Sequence, residues 1–460
     1  MSKELTYAPR YTVADAFCGC GGLSLGLSLT QRFDVILGTD IKPEALATFK
    51  FNHSRLGGVE PVTIAEDIRH TDSAMLMREM QQHGIERVGD LDCLIGGPPC
   101  EGFSQNRVDK SNGAGSRSNK FIDDPRNWLF RWFVALAGTL QPKVILIENV
   151  PDLVRHRDGE TREEILAALD EAGYVATVRV LNAADYGVPQ MRRRTFFLAQ
   201  RKVDLRQSSL HLEFPQPTHK PYPMHHNSLM ADPDWLPGDS GYWVTVREAI
   251  GDLPMATESD DYDHTIAEYP DAKITTFRAL MRSNEGVPYN HIARKLGKNG
   301  LAKLKALEPG QLAADLPDEL RPKAHYHYSY TRMLWSQPSR TITKFVYHVG
   351  SGQFGHPIED RAITIREAAR LQSFPDDFRF VGTNEIRKLS SLVGSAVPPL
   401  LGKALGKQIA QYLDALHLYS MKPEERSEAK LLTGDAVMRR LEREEWSNKK
   451  KQSEPQKALF

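Results

Sequence analysis

The residue best suited to covalent chemistry is Cys100, in the run Gly96-Gly97-Pro98-Pro99-Cys100-Glu101-Gly102-Phe103-Ser104. Two prolines ahead of it fix the backbone and hold the thiol at the mouth of a loop instead of in a core. Cys93, inside an apolar run, reads instead as a buried structural cysteine. A second apolar run ends in Glu148-Asn149-Val150-Pro151. Alone, Glu148 would read as a turn cap, but a thiol and a carboxylic acid together have a specific use on a pyrimidine. Carbon 5 of cytosine is not nucleophilic until a thiolate adds at carbon 6, and an acid at ring nitrogen 3 stabilises the enamine that results.

A third group of residues suits a nucleoside. The run Phe17-Cys18-Gly19-Cys20-Gly21-Gly22-Leu23 is a glycine-rich turn between an apolar strand and a helix. It lacks the third glycine of a dinucleotide fingerprint, which would fall at Ser24, and no Gly-Lys-Ser/Thr comes after it to make a phosphate loop. By itself it is equally a tight turn. The next strand, however, ends at Asp40, about 20 residues on, where an acid can hold a ribose hydroxyl pair. A third strand ends at Glu66-Asp67-Ile68, able to meet an adenine edge. Three strand ends suited to a nucleoside without pyrophosphate point to S-adenosylmethionine. The stretch from Gln105 to Lys120, rich in Ser, Asn and Gly, has the composition of a closing lid.

These residues need a scaffold that brings successive strand ends together. Apolar runs at Val13 to Phe17, Val35 to Thr39, Val62 to Ala65, Asp92 to Ile95, Val144 to Ile147, Val175 to Val180 and Thr195 to Ala199 read as strands. Helical patterns lie between them at Leu23 to Leu29, Pro43 to Phe51, Asp72 to Gln82, Pro125 to Leu140 and Thr161 to Ala172. The last carries a capping-box pattern, Thr161 with Glu164, and Gly173 to close it. Such alternation predicts an α/β fold with a mostly parallel sheet, helices on both faces and ligands at the carboxyl ends of the strands. After about Arg206 the alternation gives way to prolines, histidines and aromatics as far as Tyr347, then helical patterning returns at Ile365 to Leu371 and Pro399 to Leu418. The last forty residues, from Met421, read as a charged, solvated tail.

Composition bounds the remaining classes. The 460 residues are 40% hydrophobic and 26% charged, as in ordinary folded protein. Lys plus Arg (59) balance Asp plus Glu (59), so nucleic-acid contacts must come from local patches such as Arg192 to Arg206. The spacings Cys18-x-Cys20 and Cys93 to Cys100 fit no zinc pattern, and no metal is expected. No apolar run is long enough for a membrane span and Met1 to Arg10 lacks the core of a signal peptide, which predicts a cytoplasmic protein.

The motifs, taken together and in order, resemble those of the DNA (cytosine-5)-methyltransferases over roughly Tyr11 to Leu405. Besides the loops above they include Gln190-Met191-Arg192-Arg193-Arg194, the run Arg366-Glu367-Ala368-Ala369-Arg370-Leu371-Gln372-Ser373-Phe374-Pro375, and Val393-Gly394-Ser395-Ala396-Val397-Pro398. Enzymes that methylate amino groups carry Asp/Asn-Pro-Pro-aromatic where this chain has Pro-Pro-Cys. The resemblance implies a Rossmann-like S-adenosylmethionine-dependent sheet with an inserted, irregular target-recognition domain. It divides the chain into a catalytic and cofactor-binding domain at 1–204, target recognition at 205–356, a hinge at 357–384, a return to the catalytic domain at 385–420 and the tail at 421–460. It implies catalytic roles for Cys100, Glu148, Arg192 and Arg194, the arginines contacting the target nucleotide and its phosphates. It implies cofactor contacts from Phe17, stacked on adenine, from Gly19, Gly21, Gly22 and Leu23, from Asp40 on the ribose with Ile41, from Asp67 on the adenine amino group with Ile68, and from Pro98, Ser395 and Val397. The target cytosine would leave the duplex to react, since its ring carbons are out of reach while stacked.

The partners implied are double-stranded DNA and, acting on the same site, a cognate restriction endonuclease, with the enzyme a monomer associated with the nucleoid. A tRNA-methylating branch of the family has a short variable region, whereas about 150 residues separate Arg206 from His356 here, which favours DNA. A non-catalytic DNA-binding regulator would have lost Cys100 or Glu148, and both are present. Two positions depart from the family pattern: Glu101 stands where glutamine is usual, placing a carboxylate near the thiol, and Ser395 stands where asparagine is usual.

Overall fold

The computed structural model describes residues 9–67, 71–99, 128–222, 236–259, 261–262, 268–322 and 327–420. Cys100, Glu101, Ile68, the stretch 105–120 and the tail from 421 lie outside the described residues.

The apolar runs form one seven-stranded sheet. Its strands are β1 (Tyr11–Ala16), β2 (Phe33–Thr39), β3 (Val62–Ile64), β4 (Cys93–Gly96), β5 (Val144–Asn149), β6 (Tyr174–Asn182) and, after the two-residue β7 (Gln190–Met191), β8 (Arg193–Arg201). The spatial order is β3-β2-β1-β4-β5-β8-β6. β1 to β5 are mutually parallel, and β8 runs antiparallel to both β5 and β6. The sheet is therefore mostly parallel, as the sequence predicts. Alternate residues separate cleanly: Val13, Val35, Cys93, Val144 and Leu146 enter one core, while Ala14, Ile36, Leu94, Ile145 and Ile147 enter the other.

Helices cover both faces. α3 (Ser73–Met80), α4 (Trp128–Leu140) and α5 (Glu160–Glu171) close one core with Leu76, Met80, Phe130, Phe133, Ile165 and Leu169. α1 (Gly22–Ser28), α2 (Pro43–Leu56) and the long α12 (Pro399–Ser420) close the other. Leu401, Leu405 and Ile409 of α12 are fully buried there, each contributing roughly 1.5–3 kcal/mol relative to exposure. α1 and α12 cross at two glycines: a Cβ on Gly26 would lie 2.5 Å from the Pro399 carbonyl and 2.6 Å from the Gly402 Cα.

The start of α5 departs from the expected capping box. The chain enters through left-handed Arg157 and Asp158, the helix N-cap is Gly159, and Thr161 is buried with its hydroxyl 2.8 Å from His156 Nδ1. The hydroxyl is engaged by a neighbouring ring and is not available to the helix end. At the other end, Gly173 takes φ +96° just past the helix, as expected.

A third core unites the inserted region with the helices that come after it in the chain. α6 (Lys202–Ser208) ends the alternating part, and beyond it lie α7 (Val246–Ile250), α8 (Thr276–Met281) and α9 (Lys298–Lys305). Val246, Ile250, Phe277, Met281, Ile342 and Phe354 pack with Ile365, Ala368 and Leu371 of α10 (Ile365–Leu371) and Leu389 and Val393 of α11 (Ile386–Ser395). The same core reaches Cys20, Leu25 and Ala45. A buried ionic cluster reinforces it: Arg370 bonds Asp252 at 2.8 Å and Asp376 at 2.6 Å, and Asp252 also takes Arg282 at 2.8 Å. All three of Arg370, Asp252 and Asp376 are fully buried, so each charge depends on its partners. No helix among the described residues is long and apolar enough to cross a membrane.

Candidate active site

The carboxyl ends of β1, β2, β4 and β5 open into one cleft of about 590 Å³. β1 delivers the glycine loop. Phe17 takes φ +60°, unusual for a bulky residue, and its ring meets Trp132 edge-on at 6.0 Å. Cys18 N–H donates to Thr39 O at 3.0 Å and Gly19 N–H donates to Asp40 Oδ2 at 2.9 Å, tying the loop to the end of β2. Asp40 Oδ1 accepts Lys42 N–H at 2.9 Å, and each carboxylate oxygen keeps a further lone pair for a ligand.

Two glycines of the loop serve packing. Gly21, at φ +88°, is the N-cap of α1, and a Cβ there would lie 2.8 Å from both His53 and Phe49. A Cβ on Gly22 would lie 2.3 Å from the Val397 carbonyl, so this glycine lets the 395–397 segment close over the loop.

Of the residues for which the resemblance implies cofactor contacts, Phe17, Gly19, Gly22, Leu23, Asp40, Ile41, Asp67, Ser395 and Val397 line the cleft. Gly21 and Pro98 are not among the described lining residues: Gly21 supports α1 from behind, and Pro98 presents its carbonyl to Asn149 while Gly97 and Pro99 face the space.

Sequence reasoning missed Asp15. It lines the cleft, is 2% exposed, and its Oδ2 has no hydrogen-bond partner among the described residues. Burial first, then the neighbouring Asp40, pushes its pKa up to about 7, against a hydrogen bond from Ser24 that lowers it. An acid inside the apolar strand Val13-Ala14-Asp15-Ala16 was the signal available in the sequence. Cys18 and Cys20 also line the cleft, but burial raises both thiols, Cys20 to about 12, which keeps them protonated and poor nucleophiles.

The far wall carries the carboxylic acid. Glu148, at the end of β5, lines the same cleft as Asp40 and Pro99, and its Oε1 lies 2.9 Å from Arg194 Nε. Asn149 makes a brace that motif reading passed over. Its amide donates to Pro98 O at 3.1 Å and its Oδ1 accepts Val150 N–H at 2.8 Å, fixing the proline loop to the strand end that bears Glu148.

Arg192 requires a correction. It is fully buried and donates to the carbonyls of Ile342 at 2.9 Å and Gly394 at 3.1 Å, joining the inserted region and the end of α11 to β8. A guanidinium so enclosed cannot reach a nucleotide phosphate. Burial and the nearby Arg194 pull its pKa well down, against Glu148. The basic run Arg192 to Arg206 likewise forms no single patch. Arg193 and Arg201 stand at opposite ends of β8, roughly 27 Å apart at strand rise. Arg201 is paired with Asp204 and Lys202 with Asp170, at 2.8 Å each.

A nucleoside cofactor with a cationic end fits this donor set. A nucleoside-sized space ends in two carboxylates, Asp40 and Asp67, with an aromatic face at Phe17 and, at Asp15, one unpartnered carboxyl oxygen that suits a cation.

The model for the family "C-5 cytosine-specific DNA methylase" matches residues 11–411. The type II methyltransferase M1.HphI of Haemophilus parahaemolyticus is 31% identical over 409 residues, 89% of each chain. The type II methyltransferase M.XorII of Xanthomonas oryzae is 32% identical over 437 residues, covering 92% of this chain and 88% of that one. Among solved structures, a prophage-encoded DNA modification methyltransferase of E. coli superposes with a TM-score of 0.63 at 24% identity, covering 88% of this chain and 99% of that one. The Dnmt2 methyltransferase of S. pombe gives 0.52 at 16%, covering the same shares.

Proposed function

The chain belongs to the C-5 cytosine-specific DNA methylases, and on that basis we propose that it transfers a methyl group from S-adenosylmethionine to carbon 5 of a cytosine flipped out of duplex DNA. The observation that carries the reading is the meeting of two half-sites in one cleft: Phe17, Asp40 and Asp67 for a nucleoside, and Glu148 with Pro99, the residue before Cys100, for a ring.

S-adenosylmethionine, when bound, supplies an electrophilic methyl group. Phe17 would stack on its adenine, Asp40 hold the ribose, Asp67 the amino group, and Asp15 offers a negative charge to the cationic end. Ser395 and Val397 close the rim. Cys100, as thiolate, adds to carbon 6 of cytosine. Glu148 donates to ring nitrogen 3, so charge developing there is neutralised and carbon 5 becomes nucleophilic. After methylation a base removes the carbon-5 proton, the electron pair reforms the ring double bond, and the sulfur leaves carbon 6. Arg194 keeps Glu148 oriented between turnovers and supplies positive charge beside the target. Arg192 acts at one remove, holding the strand that carries Arg194.

The inserted region 205–356 would select the DNA sequence, through base-edge contacts from an irregular surface. The type II names of the relatives support a partner restriction endonuclease acting on the same site. A monomer acting on nucleoid DNA in the cytoplasm completes the reading.

The test is a duplex carrying 5-fluorocytosine at the target, incubated with S-adenosylmethionine. Fluorine cannot leave as a proton, so a covalent adduct stable to a denaturing gel is expected with the native protein and none with Cys100→Ser. No shifted band with the native protein, or one that persists in Cys100→Ser, overturns the proposal.

A further inference from the structure

A second cleft, of about 650 Å³, lies against the face of α12 opposite the sheet and shares no described lining residue with the first. Leu401, Leu405 and Ile409 point into the core, while Lys403 and Lys407, each two residues on and about 200° round the helix, line the cleft. The opposite wall is Phe277 and Leu280 of α8, with the turn at Gly238–Gly241, and Gln216 and His219 come from the segment that leaves the catalytic part.

Its charges are unbalanced among the described residues. Among the described residues neither Lys403 nor Lys407 makes a hydrogen bond or ion pair, although they stand one helical turn apart, a spacing that is unfavourable for like charges. Burial, then Lys407, pulls the Lys403 pKa down. The one described acid in the lining, Asp239, already accepts Thr276 N–H at 2.9 Å to start α8. The amides of Gln216 and Gln408 are likewise uncommitted among the described residues. Beside this polar wall, Leu280 is 45% exposed and Phe277, though buried, also lines the cleft, giving an apolar surface.

We propose that this cleft binds a small phosphorylated organic molecule of nucleotide size, with its phosphate between Lys403 and Lys407 and its body against Phe277 and Leu280. The volume is in the range of small-molecule sites, and a mixed wall of cations and apolar surface suits a ligand with one anionic end. Because one wall is α12 and the other is α8, the ligand would join the catalytic part to the inserted region and raise the stability of the pair.

The experiment uses the full chain, calorimetric titration, and two probes: uridine 5′-diphosphate, which lacks the adenine suited to the cofactor cleft, and inorganic pyrophosphate, which lacks the organic body. Saturable one-to-one binding of uridine 5′-diphosphate is expected, tighter than pyrophosphate by about threefold or more, with a loss of about tenfold or more in Lys403→Gln/Lys407→Gln. Lys407→Gln alone, at an exposed helix position, should lose about threefold with an unchanged melting temperature, so a folding defect in the double variant cannot mimic the result. Absence of saturable binding at millimolar probe, equal affinity for the two probes, or unchanged affinity in the double variant overturns the proposal. So does a short non-target duplex that displaces uridine 5′-diphosphate and loses affinity equally in the double variant, since the lysines would then be a track for DNA backbone.

Discussion

Asp15 is a carboxyl group in the wall of the first cleft, with one oxygen unpartnered among the described residues. Its pKa, raised to about 7, exceeds the ~3.9 of an unfolded chain. Between roughly pH 4 and 7 the folded state therefore keeps a proton that the unfolded state has released, so stability falls as pH rises through that window and is flat above it. The penalty is up to about 4 kcal/mol as an order of magnitude. Asp15→Asn is expected to be more stable than the native protein at pH 8 and to match it near pH 4, by urea melts at several pH values. A difference independent of pH would show that the carboxyl does not titrate there. At the opposite wall, Glu148→Gln should lower the single-turnover rate by about 10² or more while DNA affinity changes little, since in the proposed reaction Glu148 acts on the ring mainly in the transition state. Equal single-turnover rates would remove Glu148 from the chemistry. These two acids differ in how legible they were. Glu148 ends a strand beside a proline turn, a position that advertises a site, whereas Asp15 sits in mid-strand and needs the burial of its neighbours to be noticed. Arg192 misled for a related reason. Residues 195–200 are all buried, so the strand shows no inward and outward alternation from which the direction of Arg192 could be extrapolated.

At the scale of elements, the contact between α1 and α12 anchors one rim of the first cleft, because Ser395 to Val397 lie just ahead of α12. Gly26→Ala would put a methyl group within 2.5–2.7 Å of Pro399 and Gly402 backbone atoms. Overpacking of this kind costs about 1–3 kcal/mol, and here the strain also moves the rim, so both melting temperature and S-adenosylmethionine affinity should drop. Gly138→Ala on α4, where the nearest atom would be the Ala172 Cβ at 3.8 Å, is expected to be neutral or to stabilise by up to about 1 kcal/mol. If thermal melts rank the two variants equally, the close crossing is not what holds α12 in place. Strands and helices of the first two hundred residues were readable because each carries its own apolar run or stripe. The capping box at Thr161 was not, since two polar residues at the right spacing fit the motif whether or not the hydroxyl is already engaged, and only the approach of His156 decides it.

The whole molecule is held by long-range pairs that no local pattern reveals. The helices α7, α8 and α9 are 5, 6 and 8 residues long, too short to show a periodic face, and apolar side chains of α7 and α8 share a core with α10 and α11. That is why the inserted region reads as irregular in sequence yet is packed in three dimensions. It also constrains the test of specificity. A transplant of 205–356 from a relative with another target must retain an acid at Asp252 for Arg370, since breaking a buried pair costs about 3–5 kcal/mol. With that acid kept, the chimera is expected to methylate the donor's target, read by bisulfite sequencing of plasmid DNA. An active chimera that keeps the old target would place specificity elsewhere.

The covering of one sheet face by α12 bears on how the polypeptide is made. β8 ends at Arg201 and α12 begins at Pro399, so about 200 residues must leave the ribosome between the last strand and its cover. At roughly 5–20 residues per second this takes about 10–40 s, during which the face formed by Val13, Val35, Val144 and Leu146 has no α12 above it. For that interval the nascent sheet presents apolar surface to solvent, and its yield should depend on ribosome-associated chaperones far more than its final stability would suggest.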